Sequence, residues 1–137
     1  ATTAGRSWRG QVEEADARAR AGAPTWVYRL DFPSPVEPWR GAPHTLDIPL
    51  VFGTLDAPGA IAGTGAESRR LSGAMMDAFI AFARGGDPNH PGLPDWPLYR
   101  LPDRQTLILN TSVRAEPDPR RAERELFARV PYIQPGT

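Results

Sequence analysis

Two histidines, His44 and His90, are the side chains of this chain best suited to moving a proton near neutral pH, and no cysteine accompanies them. His90 stands in Asp87-Pro88-Asn89-His90-Pro91-Gly92, a turn sequence, and reads as an exposed turn residue. His44 is followed three residues later by Asp47 and then by the apolar stretch Ile48–Phe52. A carboxylate at that spacing could orient the imidazole, or could cap whatever short element begins after it. A histidine held by a carboxylate suits general acid–base work, yet a loop histidine can equally have a plain structural role. The residues alone leave both readings open.

Other chemistries fit poorly. A metal centre needs several ligands held together, and no spacing among the two histidines and the carboxylates suggests one. Gly63-Thr64-Gly65 lacks the third glycine of a dinucleotide fingerprint and follows no convincing strand, so it reads as loop. Ser72-Gly73 lacks the glycine two residues before the serine that a nucleophile elbow requires, and it falls inside a helical stripe. No serine reads as activated. No metal or cofactor is expected.

The charge balance also excludes partners. Sixteen basic residues face sixteen acidic ones, which gives no electrostatic grip on nucleic acid or an anionic membrane. All the basic residues are arginine; they are scattered and carry no functional weight at this point. Mean hydropathy is -0.43, and runs such as Ile48–Phe52 are far shorter than a membrane span. No signal-peptide pattern opens the chain, and nothing separates a cytoplasmic from a secreted location. The first residue is alanine, so the start was processed away or the chain is a piece of something longer.

The elements that must position His44 follow from periodicity. Trp8, Val12, Ala15 and Ala19 place a helix over Thr3–Ala21, with Asp16 on another face; Gly22 and Pro24 stop it. Thr25–Phe32, rich in aromatic and β-branched residues and closed by Pro33, is the best strand. From Pro33 to Ala66 eleven prolines and glycines punctuate a long connection that contains His44. Only Ile48–Phe52 could form an element there, and so long a connection is uncommon unless it does something. Leu71, Met75, Ala78, Phe79 and Phe82 stripe a second helix over Glu67–Arg84, which Gly85-Gly86-Asp87-Pro88 ends. Pro97–Arg100 and Gln105–Thr111 suggest a hairpin around Pro102-Asp103-Arg104. Asp118-Pro119 would cap a last helix to Arg129, with Ala122, Leu126 and Val130 inward.

Gly41-Ala42-Pro43-His44-Thr45-Leu46-Asp47-Ile48-Pro49-Leu50-Val51-Phe52-Gly53 resembles the histidine motif of the type B carboxylesterases, which begins Gly-Ala-x-His, has an acid three residues on, and ends Val-Phe-Gly. Ala81-Phe82-Ala83-Arg84 with Gly86-Asp87-Pro88-Asn89 resembles that family's helix end and turn. Trp96-Pro97-Leu98-Tyr99 is similar to its next signature, and Leu109-Asn110 to its late strand. Val27-Tyr28-Arg29 resembles the strand before the histidine loop. The matches run in order along nearly the whole chain.

The resemblance implies an α/β fold, with residues 1–137 as the C-terminal portion of a single α/β-hydrolase catalytic domain: late sheet strand, histidine loop, covering helices and a small C-terminal hairpin. It implies a serine esterase acting through an acyl-enzyme, with His44 as catalytic base. The serine elbow and the triad acid would lie upstream, because the triad runs nucleophile, acid, histidine in this fold. Asp47 is therefore not expected to be the triad acid. The expected partners are a small-molecule ester and either the N-terminal remainder of the same protein or a second copy. The alternative is a cholinesterase-like binding or adhesion protein without catalysis.

Overall fold

A computed structural model describes residues 5 and 7–131. Its elements are helix α1 (Ser7–Arg20), strand β1 (Tyr28–Leu30), a 3-10 turn (Pro38–Arg40), α2 (Asp47–Phe52), α3 (Ala66–Gly85), β2 (Gln105–Leu109), β3 (Arg114–Pro117) and α4 (Arg121–Phe127). The chain folds as two compact units: residues 1–27, 98–106 and 116–137 form one, and residues 28–97 and 107–115 the other.

In the first unit α1 buries Trp8, Val12 and Ala15 along one stripe, as their spacing requires, and Val27 and Tyr99 complete the cluster with Ala19 beside it. The expected start at Thr3 lies outside the described residues. Asp16 departs from the polar face assigned to it: it is only 7% exposed. Its carboxylate accepts from the Tyr99 hydroxyl at 2.8 Å and from Nε and Nη2 of Arg104 at 3.0 and 2.8 Å. Asp118 is buried in the same manner, held by Arg124 at 2.9 and 2.7 Å and by Arg121 at 3.1 Å. Two arginine forks thus neutralise two buried carboxylates, a use of arginine that scattered sequence positions did not reveal.

That arrangement corrects the last helix. Asp118 does not cap it through the backbone, because its oxygens are taken by arginine side chains, and Arg120 in the left-handed region occupies the cap instead. The helix is shorter than expected, and Ala122, Leu126 and Val130 are exposed rather than inward. Phe127 turns in against Gly5, where an added Cβ would come within 3.0 Å of the ring.

The second unit contains the helical pair α2–α3 and the core of a three-stranded sheet in the order β1–β2–β3. β1 runs parallel to β2 with Tyr28, Arg29 and Leu30 opposite Leu107, Ile108 and Leu109. Leu107–Leu109 are at most 2% exposed, the continuous burial of a strand covered on both faces. Only three residues of the expected Thr25–Phe32 strand pair in this way. The expected hairpin is displaced: Pro97–Arg100 forms no strand, and β2 instead neighbours β3 across the four-residue connection 110–113.

α3 matches its expected limits and ends on Gly86 in the left-handed region, whose N–H bonds the Phe82 carbonyl at 2.7 Å. Its inward face is rotated from the expected stripe. Ser68, Leu71, Ser72, Met75 and Ala78 are buried, whereas Phe79 and Phe82 are 42% and 51% exposed.

The carboxyl of Asp16 sits below the usual carboxylate range: burial pushes it up, but bonds and charge from Arg104 and Tyr99 outweigh that push. A depressed carboxylate adds stability that is present at neutral pH and lost as pH falls from the ordinary carboxylate value, about 4, through the lower folded one. Asp16→Asn should therefore lower the melting temperature at pH 7, and the gap from wild type should close as pH falls below the ordinary carboxylate value of about 4. A gap independent of pH would count against the ionised network.

Candidate active site

The long connection from Pro33 to Ala66 is ordered by serine hydroxyls. Ser34, fully buried, donates to the Ile61 carbonyl at 2.6 Å, accepts from the Glu37 N–H at 2.9 Å, and gives its own N–H to the Gly41 carbonyl at 2.8 Å. Ser68 donates to the Ala62 carbonyl at 2.7 Å, and Ser72 to the Leu50 carbonyl at 2.7 Å. Serine serves here because a short hydroxyl can satisfy a loop carbonyl that no ladder reaches. The Ser72 that fails as a nucleophile elbow is thus a strap from α3 to α2.

Gly63-Thr64-Gly65 is the entry to α3. Gly63 has φ +69, and a Cβ there would lie 2.5 Å from Pro35 Cγ, so no other residue fits without movement. His90 is also structural and is half-buried rather than exposed. The Gly92 N–H donates to Nδ1 at 3.1 Å, which leaves the proton on Nε2 to meet the Ala74 carbonyl at 3.0 Å.

His44 lies in the turn that enters α2, with its side chain exposed. Two residues later Leu46 is fully buried, and so is Leu50 one helical turn on; these two anchor the short helix while His44 faces outward. Ile48–Phe52, undecided from sequence, is helical, and the helix begins one residue earlier at Asp47. Asp47 is not its cap: Leu46 occupies that position without a side-chain bond, and Asp47 lies in the first turn. Gly53 ends the helix at φ +65, and a Cβ there would meet Met76 Sδ at 2.8 Å. The Val-Phe-Gly ending is therefore a stop signal with a packing constraint.

The imidazole has no hydrogen-bond partner among the described residues, and Asp47 turns elsewhere. Its Oδ2 lies 3.5 Å from the Tyr28 hydroxyl, a long contact. Tyr28 is set edge-on to Phe79 and Trp96, each centroid 6.2 Å away, and burial first, Asp47 second, push its phenol above the ordinary tyrosine value. The roles of Tyr28 and of the three serines are what sequence reasoning missed; a lone serine, in a loop like Ser34 or in a helix like Ser68 and Ser72, carries no pattern that marks it as buried.

Beside this turn, Tyr28, Ile48, Val51, Phe52, Phe79 and Ile80 line an apolar groove of about 480 Å3 between α2 and α3. Phe52 is 72% exposed and Ile48 51%, unusual for residues so apolar. Among the described residues no group of three ligating side chains could hold a metal, and no helix is long and apolar enough to cross a membrane.

The strand, the strapped loop presenting an exposed histidine, and the covering helix are arranged as in part of an α/β-hydrolase fold, and solved structures agree. A thermophilic p-nitrobenzyl esterase superposes with a TM-score of 0.79 at 35% identity, over 88% of this chain and 25% of that one. The Geobacillus stearothermophilus carboxylesterase EST55 at pH 6.2 gives 0.75 at 35% identity, over 86% and 25%. The profile of the carboxylesterase family matches residues 7–127. The para-nitrobenzyl esterase of Bacillus subtilis (strain 168) is 36% identical over 120 residues, 86% of this chain and 24% of that protein. Liver carboxylesterase B-1 of Rattus norvegicus is 42% identical over 101 residues, 70% and 18%. The chain belongs to the type B carboxylesterase family and carries part of its α/β-hydrolase fold. It spans about a quarter or less of the length of these relatives.

The straps are testable. Ser72→Ala leaves the Leu50 carbonyl without its donor and should cost about 1–3 kcal/mol in urea unfolding. Ser72→Thr, which keeps the hydroxyl, should recover part of that; equal stability of all three would show the strap to be unimportant.

Proposed function

We propose that residues 1–137 are the C-terminal portion of a single α/β-hydrolase catalytic domain whose complete polypeptide hydrolyses carboxylic esters, with His44 as the catalytic base. The observation that carries this reading is the exposed His44 on a rigidly strapped turn, within the segment that matches the carboxylesterase family.

In this mechanism an upstream serine attacks the ester carbonyl while the neutral His44 takes its proton. The imidazolium then gives that proton to the departing alcohol, leaving an acyl-enzyme. A water molecule attacks the acyl group with His44 again as base, and the serine is regenerated as the acid leaves. An upstream carboxylate holds the imidazole in the required tautomer; Asp47, turned toward Tyr28, is not assigned that role. The reaction needs no metal or cofactor. Small-molecule esters are the substrates, in keeping with the para-nitrobenzyl esterase among the relatives.

The isolated chain should be inactive on p-nitrophenyl acetate, since a base without nucleophile and oxyanion donors achieves little. The complete polypeptide should show organophosphate-sensitive activity. His44→Ala there should reduce kcat on the order of 10^4-fold. Near wild-type turnover in that variant, with an intact serine elbow, would remove His44 from the mechanism. A complete polypeptide with no such serine would favour a non-catalytic binding protein.

The groove beside α2 supplies the docking face for the preceding part of the same polypeptide, because this chain is about a quarter of its relatives' length and the outer apolar side chains of the groove are left exposed by the described residues. Phe52→Ser with Phe79→Ser should make the isolated chain more soluble and the complete polypeptide less stable. An unchanged melting temperature of the complete polypeptide would show that the groove is not covered by it.

A further inference from the structure

Thr45, directly after His44, has φ +72, the left-handed region. Non-glycine residues are uncommon there, and a β-branched one is an outlier, because its branched Cβ crowds the backbone carbonyl. Of the four described non-glycine residues with positive φ, Thr45 alone is β-branched. Packing does not require its side chain, which is exposed. The backbone around it is fixed from both sides: the Leu46 N–H bonds the Pro43 carbonyl at 3.2 Å, the Ile48 N–H bonds the Thr45 carbonyl at 3.2 Å, and Leu46 is fully buried. Among the described residues the Thr45 hydroxyl bonds its neighbour alone, as Oγ1 donates to the His44 carbonyl at 2.5 Å. A strained residue whose exposed side chain bonds the histidine beside it is accounted for by what it does to that histidine.

Resting on the assignment of His44 as base, the geometry points to Thr45 as a positioning residue. Its left-handed backbone throws the His44 side chain outward, and its hydroxyl pins the His44 peptide so that the imidazole is presented in one orientation. A glycine would adopt this φ without strain but would let the peptide rotate. The fold therefore carries a locally unfavourable residue in return for a preorganised base.

Kinetics and melting of the complete polypeptide separate this from a structural role. Thr45→Gly should raise the melting temperature while lowering kcat on the order of tenfold with KM nearly unchanged, the signature of a misoriented catalytic group. Thr45→Ser, which keeps Cβ and the hydroxyl, should restore most of that kcat. A glycine variant with wild-type kcat overturns the inference, and so does one whose melting temperature and kcat fall together, since the residue would then be holding the fold. His44→Ala measured alongside identifies the source of a failure. If that variant retains activity, the base assignment is wrong; if it is inactive while Thr45→Gly is not, only the role of Thr45 is wrong.

Discussion

The bond from the Ser72 hydroxyl to the Leu50 carbonyl is the contact on which the presentation of His44 depends most. α2 has only six residues, too few to be stable by its own hydrogen bonding, so it exists because something holds it. Leu46 and Leu50 supply the apolar hold, but two leucines on one short turn fix depth better than they fix rotation. A directional bond from a rigid twenty-residue helix to a carbonyl of α2 fixes the rotation. With the rotation set, the residues just before α2 can face only one way, and His44 lies among them. Ser34 and Ser68 do the same for the two ends of the connection, so a segment rich in proline and glycine behaves as a built part of the unit.

This arrangement explains which features could be read from sequence. The first and third helices were legible because apolar spacing and terminal glycines act locally, and Gly86 closes α3 where expected. The His44 turn was legible through a run of residue types that resembled a family motif. Its constraints were not. Ser34 and Ser72 become informative only once the carbonyls of Ile61 and Leu50 are placed beside them, 27 and 22 positions away. The displaced hairpin has the same origin. Gln105–Leu109 has strand-forming residues, but its partners are chosen by burial: parallel β1 on one side and β3 on the other make it the covered middle strand. The outward rotation of Phe79 and Phe82 was illegible for a related reason. Periodicity marks an apolar stripe but cannot say which of its residues the chain itself covers, and Phe79 and Phe82 are left exposed.

Arginine illustrates how composition can mislead in the opposite direction. With no lysine in the chain, sixteen arginines look like a compositional habit. In the unit built around α1, however, Arg104 and Arg124 each place two nitrogens on a buried carboxylate. A lysine could neutralise Asp16 or Asp118 but could not donate along both oxygens in one plane. Removing either carboxylate would strand a cation in a poorly solvated place, so these pairs act less as added stability than as a requirement that α1, α4 and the segment carrying Arg104 meet in one register. This unit is specified by charge as well as by its apolar cluster.

Strain and exposure around His44 belong to one physical account. The proposed role of His44, proton exchange with a nucleophile, requires an imidazole that its own segment holds without covering. The chain meets that demand by burying the residues on either side: Ser34 and Ala62 behind the loop, Leu46 and Leu50 beneath the turn. It leaves His44 and Thr45 exposed between them. Rigidity obtained from flanking burial leaves the exposed backbone little freedom to relax, which is why a left-handed threonine can persist there. The apolar groove follows from the same geometry, because the helix that anchors the turn from below offers its other side, Ile48 and Phe52, to whatever docks on it. A partner that fills this groove contacts the same six-residue helix whose entry turn presents His44, so on the proposed reading covering the groove also bears on how the imidazole is held.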